Sequence, residues 1–312
     1  MNPPRILFMG TPEFALPALA ALSRSAYPVC AVVTQPDRPA GRGQKEAAPP
    51  VKTLALSLGL PVLQPVRIKD SAFLETLRAL APDMIVVAAF GQLLPKALLD
   101  FPPCGCLNIH PSLLPKYRGA APLHWSIIRG ETTTGVTVML MDEGMDSGDI
   151  LLQEETPLGP AETFGELHDR LARMGAGLLI ATIEQVMSGA VRRQKQDASL
   201  VTFAPRLTRE TGKIAWNNRV ADIVNLIRGL SPAPAAYTAL DGQTLKIFTA
   251  QGRPGAVCEP PGFVGAPADG GLPVAAADGH VLLKDVQLAG KKRMPIGVFL
   301  RGYRLKENSV LG

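Results

Sequence analysis

Residues 84–90, MIVVAAF, form an unbroken apolar run bounded by a polar Asp83 and a Gly91. The run is far shorter than the about 18 apolar residues a membrane helix needs, and it is rich in Val and Ile. It therefore predicts a strand buried on both faces, which is how the central strands of a parallel sheet read. ILFMG (6–10) and VCAVVT (29–34) read the same way. Parallel neighbours must be joined by crossovers, and the intervening sequence supplies them. Thr11-Pro12-Glu13 opens a helix to about Ser25, with proline in its first turn. VKTLALSLG (51–59) reads as a helix closed by Gly59, and Asp70 caps another that runs to about Ala79. GCLNIH (105–110) is the next strand, a helix follows near Pro122–Arg129, and GVTVMLM (135–141) and DILLQEE (149–155) are two more strands. Thr163-x-x-Glu166 is a capping box that opens a long helix to about Met187. The alternation predicts an α/β fold, a Rossmann-like doubly wound parallel sheet with right-handed crossovers.

The pattern changes after residue 190. Residues 191–206, VRRQKQDASLVTFAPR, are polar and read as a linker. A helix at about 219–229 precedes short β-type runs at 235–240, 244–250, 273–277 and 280–288, separated by Gly and Pro. This spacing predicts a small OB-like β-barrel. The expected division is thus 1–190, linker 191–206, and 207–312. The charge divides with it. Residues 1–204 carry 18 Lys+Arg against 19 Asp+Glu, whereas residues 205–312 carry 14 against 8, a net +6 that suits a polyanionic partner.

Composition excludes several classes. Hydrophobic residues make up 46% and charged residues 19%, which fits a folded globular chain rather than a disordered one. MNPPRILFMG lacks the form of a secretory signal, and the four cysteines (Cys30, Cys104, Cys106, Cys258) form no CxxC pair and no Cys/His cluster. A cytoplasmic chain with reduced thiols and no metal is the expectation. GTPEF (10–14) contains neither GxGxxG nor a phosphate-loop Lys-Ser/Thr, so neither NAD nor ATP is supported, and Gly10 reads as the residue of a tight strand-to-helix turn.

Chemistry concentrates in GCLNIHPSLLPKYRGAAP (105–122) and MDEGMDSGDI (141–150). Side chains alternate along a strand, so Asn108 and His110 share one face, and Pro111 ends the strand and leaves both at its rim. An amide that can donate to a developing oxyanion, beside an imidazole that can move a proton near neutrality, suits acyl transfer. A carboxylate from another loop would complete the set. Spacing alone equally allows a structural histidine and a turn asparagine.

Asn108, His110, Ser112-Leu113-Leu114-Pro115, Arg118-Gly119-Ala120-Ala121-Pro122 and Asp146-Ser147-Gly148-Asp149 together resemble the signature of the folate-dependent formyltransferases. The likeness spans FMGTPEFALPAL, TQPDRPAGRG, VVAAFGQLLPKALL, FAPRLTRETGKIAW and AGKKRM, close to the full length. Within the family it is similar to the branch that acts on methionyl initiator tRNA. The resemblance implies a formyl donor, 10-formyltetrahydrofolate, and a monomer. It implies catalytic roles for Asn108, His110 and Asp146, and folate contacts from Ser112, Leu113, Leu114 and Pro115, the two leucines flanking the pterin. Leucines there also fit plain core packing.

The loop Asp37–Lys45 carries Arg38, Arg42 and Lys45 among Gly and Pro. The resemblance implies that it engages the tRNA acceptor end, with Arg42 at the position of the key arginine; composition alone suits any solvated surface loop. Lys291, Lys292 and Arg293 add a candidate phosphate track. Ser231-Pro232-Ala233-Pro234 departs from the family, many members of which carry a tryptophan between the prolines, and the difference is expected to loosen local packing. Two other outcomes stay open on sequence alone. One is a formyltransferase of the same scaffold acting on a sugar-nucleotide amine, or a hydrolase of formylfolate, though the basic loop argues against the sugar enzymes. The other is a noncatalytic RNA-binding protein.

Overall fold

The computed structural model describes residues 3–40 and 45–312. The chain divides into two compact units. One comprises residues 1–119, 134–156 and 168–203, the other 120–133, 157–167 and 204–312.

The first unit is built on a seven-stranded sheet. Its strands are β1 (Ile6–Gly10), β2 (Val29–Val33), β5 (Val62–Leu63), β6 (Met84–Ala88), β7 (Cys106–His110), β8 (Thr133–Leu140) and β9 (Ile150–Pro157), in the order β5-β2-β1-β6-β7-β8-β9. β3 (Arg38–Ala40) and β4 (Lys45–Ala47) form a separate antiparallel pair in the segment read from sequence as a loop. β1 pairs in parallel with both β2 and β6, β5 joins β2 in parallel, and β6 and β7 are parallel. β7 and β8 are antiparallel, so the sheet is mixed at that end. The chain runs outward from β1 to β5 and returns to place β6 on the other flank of β1. The switch point therefore lies between β1 and β6, where open α/β sheets hold ligands beyond the strand carboxyl ends.

The expected apolar runs form the sheet because they have no exposed face. Every residue of β1 and β6 is buried. Cys106 shares one face with Leu7, Met9, Val33, Ile85 and Val87, packed by Phe73 and Leu77 of α3 (Ser71–Leu80), which follows α1 (Leu16–Ser23) and α2 (Pro50–Ser57). α2 closes as its Gly59 predicts. Gly59 has φ +69°, its N–H donates to Leu56 O at 3.1 Å, and Leu60 N–H donates to Ala55 O at 2.9 Å. Asp70 does sit at the N-cap of α3, without a side-chain capping bond. β6 stops at Ala88 rather than at Phe90 because Ala89 turns to φ +48°. Gly10 does not have positive φ. A Cβ there would stand 2.8 Å from Ala15 Cβ and 3.0 Å from Ala88 O, so close approach is what requires glycine.

α4 (Lys96–Leu99) and α5 (Pro122–Ile128) precede α6 (Phe164–Ser188), which opens at the predicted capping box. Glu166 Oε2 accepts from Thr163 N at 2.8 Å, and Glu166 N–H donates to Thr163 Oγ1 at 3.4 Å. α6 comes very close to the sheet at Gly175, where a Cβ would meet Ile109 at 2.8 Å and Val136 at 3.3 Å.

In the second unit, α7 (Val220–Gly229) precedes β10 (Ala236–Leu240), β11 (Gln243–Pro254), β12 (Leu272–Ala276), β13 (Gly279–Leu288), β14 (Met294–Pro295) and α8 (Ile296–Gly302). The strands form an antiparallel half-barrel in the order β10-β11-β13-β12, with β14 on β13. Ile223 and Ile227 of α7 and Trp216 pack with Leu245, Ile247, Val281 and Leu283 of the strands. α7 approaches β11 at Gly252, where a Cβ would lie 2.7 Å from Val220. Ala233, where the sequence departs from the family pattern, is exposed.

Candidate active site

β7 holds Asn108 and His110 between β6 and β8, with Asn108 paired in register to Val87 on one side and Met139 on the other. Two residues apart on one strand, their side chains emerge on the same face. Pro111 follows the last strand residue, as the sequence requires. His110 is almost fully buried, at 4% exposure. Asn108 is half-buried, and its amide makes no hydrogen bond to any described residue, which leaves its donors and acceptor open.

The His110 ring has two polar neighbours. Nε2 lies 3.0 Å from Tyr117 O, and Nδ1 lies 3.7 Å from Asp146 Oδ1. A carbonyl only accepts, so Nε2 carries the proton that it donates to Tyr117 O, and Nδ1 is the nitrogen left to exchange one. Asp146 stands in the left-handed region at φ +49°, and its other oxygen, Oδ2, accepts from Gly119 N–H at 2.8 Å. The structure thus brings His110 and Asp146 together from two separate segments.

The Ser112–Pro115 run is firmly built. Ser112 Oγ donates to Lys116 O at 2.7 Å. Thr137 Oγ1, on the neighbouring strand, donates to Ser112 O at 2.6 Å and accepts from Leu114 N–H at 3.1 Å. Gln153 Nε2 donates to both Leu114 O and Thr137 Oγ1 at 2.8 Å. Ser112 and Leu114 are buried, Leu114 packing on Met139 and Ile150, while Leu113 and Pro115 are half-buried and retain surface for a ligand. Sequence reasoning singled out neither Thr137 nor Gln153, which read as ordinary strand residues.

It also read residues 191–206 as a linker, yet Gln196 binds the Asp146 loop. Gln196 Nε2 donates to Asp146 O and to Gly148 O, both at 2.8 Å, and Gln196 Oε1 accepts from Arg118 Nε at 3.0 Å and Nη2 at 2.7 Å. Arg118 and Phe203 form a parallel bridge, and Ile150 and Gln194 an antiparallel one. A polar composition signals exposure, not the absence of tertiary bonds, so no local signal marks this segment.

The basic positions differ in how far they are tied down. Arg38 is exposed and donates to Gln35 Oε1 at 3.3 Å. Arg42 lies outside the described residues, as does the side chain of Lys45. Asp37, at the base of the loop, accepts from Lys52 Nζ at 2.7 Å and Gln64 Nε2 at 2.7 Å, and these bonds, with Gln64 first, hold its carboxyl below the usual carboxylate range. Lys291 and Lys292 are exposed with no ion pair among the described residues. Arg293 is engaged by Asp285 at 2.5 Å and lies 4.3 Å over the Phe248 ring. Among the described residues no group of three or more His, Cys, Asp or Glu side chains could hold a metal ion, and no helix is long and apolar enough to cross a membrane.

Two family models match this chain, "Formyl transferase" over residues 4–183 and "Formyl transferase, C-terminal domain" over residues 206–304. A methionyl-tRNA formyltransferase of Syntrophus aciditrophicus is 59% identical over 307 residues, 98% of each chain. One from Pelobacter propionicus is 52% identical, over 100% of this chain and 97% of the relative. Among solved structures, a sugar 3N-formyl transferase, WlaRD, superposes with a TM-score of 0.68 at 18% identity, covering 92% of this chain and 98% of that one. HypX from Aquifex aeolicus in complex with tetrahydrofolic acid superposes with a TM-score of 0.64 at 18% identity, over 97% of this chain and 48% of that one. At these identities the two structures speak for the fold alone.

Proposed function

From the premise that the chain belongs to the formyl transferase family, we infer that it transfers the formyl group of 10-formyltetrahydrofolate to the α-amino group of methionyl initiator tRNA, producing formylmethionyl-tRNA for translation initiation. The observation that carries the choice of acceptor is end-to-end similarity to methionyl-tRNA formyltransferases at more than half identity. The likeness to the sugar 3N-formyl transferase, at 18% identity, speaks for the fold alone.

The chemistry follows from the groups on β7 and the Asp146 loop. The neutral amine attacks the formyl carbon, a C–N bond forms, and the carbonyl oxygen takes up negative charge. Asn108, whose amide makes no hydrogen bond to a described residue, donates to that oxygen. The attacking nitrogen then sheds a proton, and the folate N10 accepts one as its bond to the formyl carbon breaks. His110 Nδ1 is the ring atom placed to carry that proton, because Tyr117 O fixes Nε2 as the permanent donor. Asp146, beside Nδ1, keeps the ring in place through the exchange. Each step uses side chains and backbone dipoles and calls on no metal.

The donor site is formed by Ser112, Leu113, Leu114 and Pro115, with Leu113 and Pro115 offering partly exposed apolar surface to the pterin. Arg38, Arg42 and Lys45 meet the acceptor end of the tRNA, and Lys291, Lys292 and Arg293 meet its phosphates. Residues 1–190 form the catalytic domain and 207–312 the tRNA-binding one. The enzyme works as a monomer in the cytoplasm.

The test offers labelled 10-formyltetrahydrofolate with methionyl initiator tRNA, methionyl elongator tRNA and a sugar-nucleotide amine as competing acceptors. Label on the initiator tRNA alone is the expected result. Label on the sugar, or release of formate only, overturns the acceptor assignment. Arg42→Ala is expected to weaken use of charged tRNA while sparing the folate KM, and unchanged tRNA kinetics would remove that loop from the site.

A further inference from the structure

We propose that Gln196 is a positioning residue for Asp146, held in its working orientation by Arg118; this rests on the reading of Asp146 as part of the reacting site. The backbone at Asp146 is left-handed, at φ +49°, a conformation in which a Cβ crowds the following carbonyl. Such a residue keeps its place only if its surroundings fix it, and here two groups do so. Gly119 N–H takes Oδ2 of the carboxylate, and Gln196 Nε2 takes the main-chain oxygens of Asp146 and Gly148. Gly148 approaches the backbone of β8 so closely that a Cβ there would fall 1.8 Å from Leu140 O.

The amide of Gln196 has one usable orientation. The Arg118 guanidinium only donates, so Oε1 must face it; the two carbonyls only accept, so the NH2 must face them. All three polar demands are met together by a primary amide of this length. The consecutive residues 117–119 then serve three different partners. Tyr117 O receives the His110 ring, the Arg118 side chain orients Gln196, and Gly119 N–H holds the Asp146 carboxylate. Gln196 thereby closes a ring of contacts running from 119 to 146 to 196 and back to 118. That ring sets the direction in which Asp146 Oδ1 faces His110 Nδ1, at 3.7 Å.

The experiment compares Gln196→Glu and Gln196→Met with wild type in steady-state transfer to methionyl initiator tRNA. Misplacing a reacting group by about 1 Å can cost on the order of 100-fold. A fall in kcat of roughly 10- to 100-fold, with both KM values within about twofold, is therefore expected. Gln196→Glu should be the slower variant, since its carboxylate sets negative oxygens against two carbonyls while keeping the volume and the Arg118 contact. A side chain needed only for its bulk would make Glu the milder change. If Gln196→Glu fails to fold, Gln196→Met carries the comparison. The decisive measurement pairs Gln196→Met with Asp146→Asn. A residue acting through Asp146 adds less than about twofold to the Asp146→Asn defect, whereas an independent one multiplies it. Wild-type kcat in the foldable Gln196 variants, a defect confined to KM, or multiplying defects would each overturn the proposal while Asp146→Asn remains slow. Wild-type turnover in Asp146→Asn would overturn the underlying reading, and this proposal with it.

Discussion

Thr137→Val is the substitution that tests most directly how the Ser112–Pro115 run is held. Thr137 lies in register with His110 on the neighbouring strand and is fully buried. Its hydroxyl donates to Ser112 O and accepts from both Leu114 N–H and Gln153 Nε2. Valine keeps the shape and removes all three bonds. Gln153 retains Leu114 O at 2.8 Å, so it is not orphaned. Ser112 O and Leu114 N–H are left without this partner inside a segment whose Ser112 and Leu114 are buried. A buried backbone group deprived of its partner costs about 1–3 kcal/mol, and two such groups, partly relieved by loop adjustment, total about 2–4 kcal/mol. Thr137→Ser is the control. It keeps the hydroxyl and loses one buried methyl, at a cost of about 1 kcal/mol.

Urea unfolding followed by far-UV circular dichroism reads the difference as a shift of midpoint at constant slope. Because the same bonds shape the proposed folate contact, Thr137→Val should also raise the KM for 10-formyltetrahydrofolate more than the KM for tRNA. Equal midpoints and equal donor KM values for the Val and Ser variants would refute the claim that this hydroxyl, rather than the methyl beside it, secures the loop.

Further outcomes follow from individual side chains. Asn108→Ala should lower kcat by about 10²–10³ with little change in either KM, since its amide serves no described protein partner; a loss of stability without a kcat effect would make it structural instead. The Asp278 carboxyl is held below the usual carboxylate range, first by Val220 N–H at the start of α7 and then by Arg219. A depressed carboxylate contributes stability above its unfolded pKa, about 3.9, and loses it as pH falls through the folded value. Asp278→Asn should therefore flatten the acid limb of unfolding below about pH 5, as read by tryptophan fluorescence, and an unchanged acid limb would contradict the capping role. Burial pushes the Cys106 thiol up to about 12, and its Sγ faces Leu98 O at 3.5 Å. Iodoacetamide at pH 8 should label exposed Cys258 readily and leave Cys106 unmodified until denaturant is added, with mass spectrometry locating the adducts.

The features legible in the sequence were those with a local cause. β1 and β6 declare themselves because burial on both faces demands unbroken apolar runs, and β2 shares the apolar run although Val29 and Cys30 are half-buried. Gly59 and the Thr163/Glu166 pair are visible because capping is settled within a few residues. The β3–β4 pair escaped because three-residue strands around Pro39 carry no periodicity, and the antiparallel β8 read as one more parallel strand because pairing direction leaves no mark on an apolar run. β11 runs on past the expected 250 to Pro254, since Gly252 is set by the approach of α7 and not by strand propensity.

The same distinction governs the site. Asn108 and His110 share a strand, so alternation alone places them on one face. Asp146 comes from another segment and was reached through family resemblance. Thr137, Gln153 and Gln196 act by binding main-chain oxygens and N–H groups, which every residue possesses, so no partner residue type appears at a fixed spacing to reveal them. Groups that meet the substrate are therefore easier to read from a sequence than groups that hold them. The holding groups decide how the Asp146 carboxylate stands toward the His110 ring, with Oδ1 3.7 Å from Nδ1.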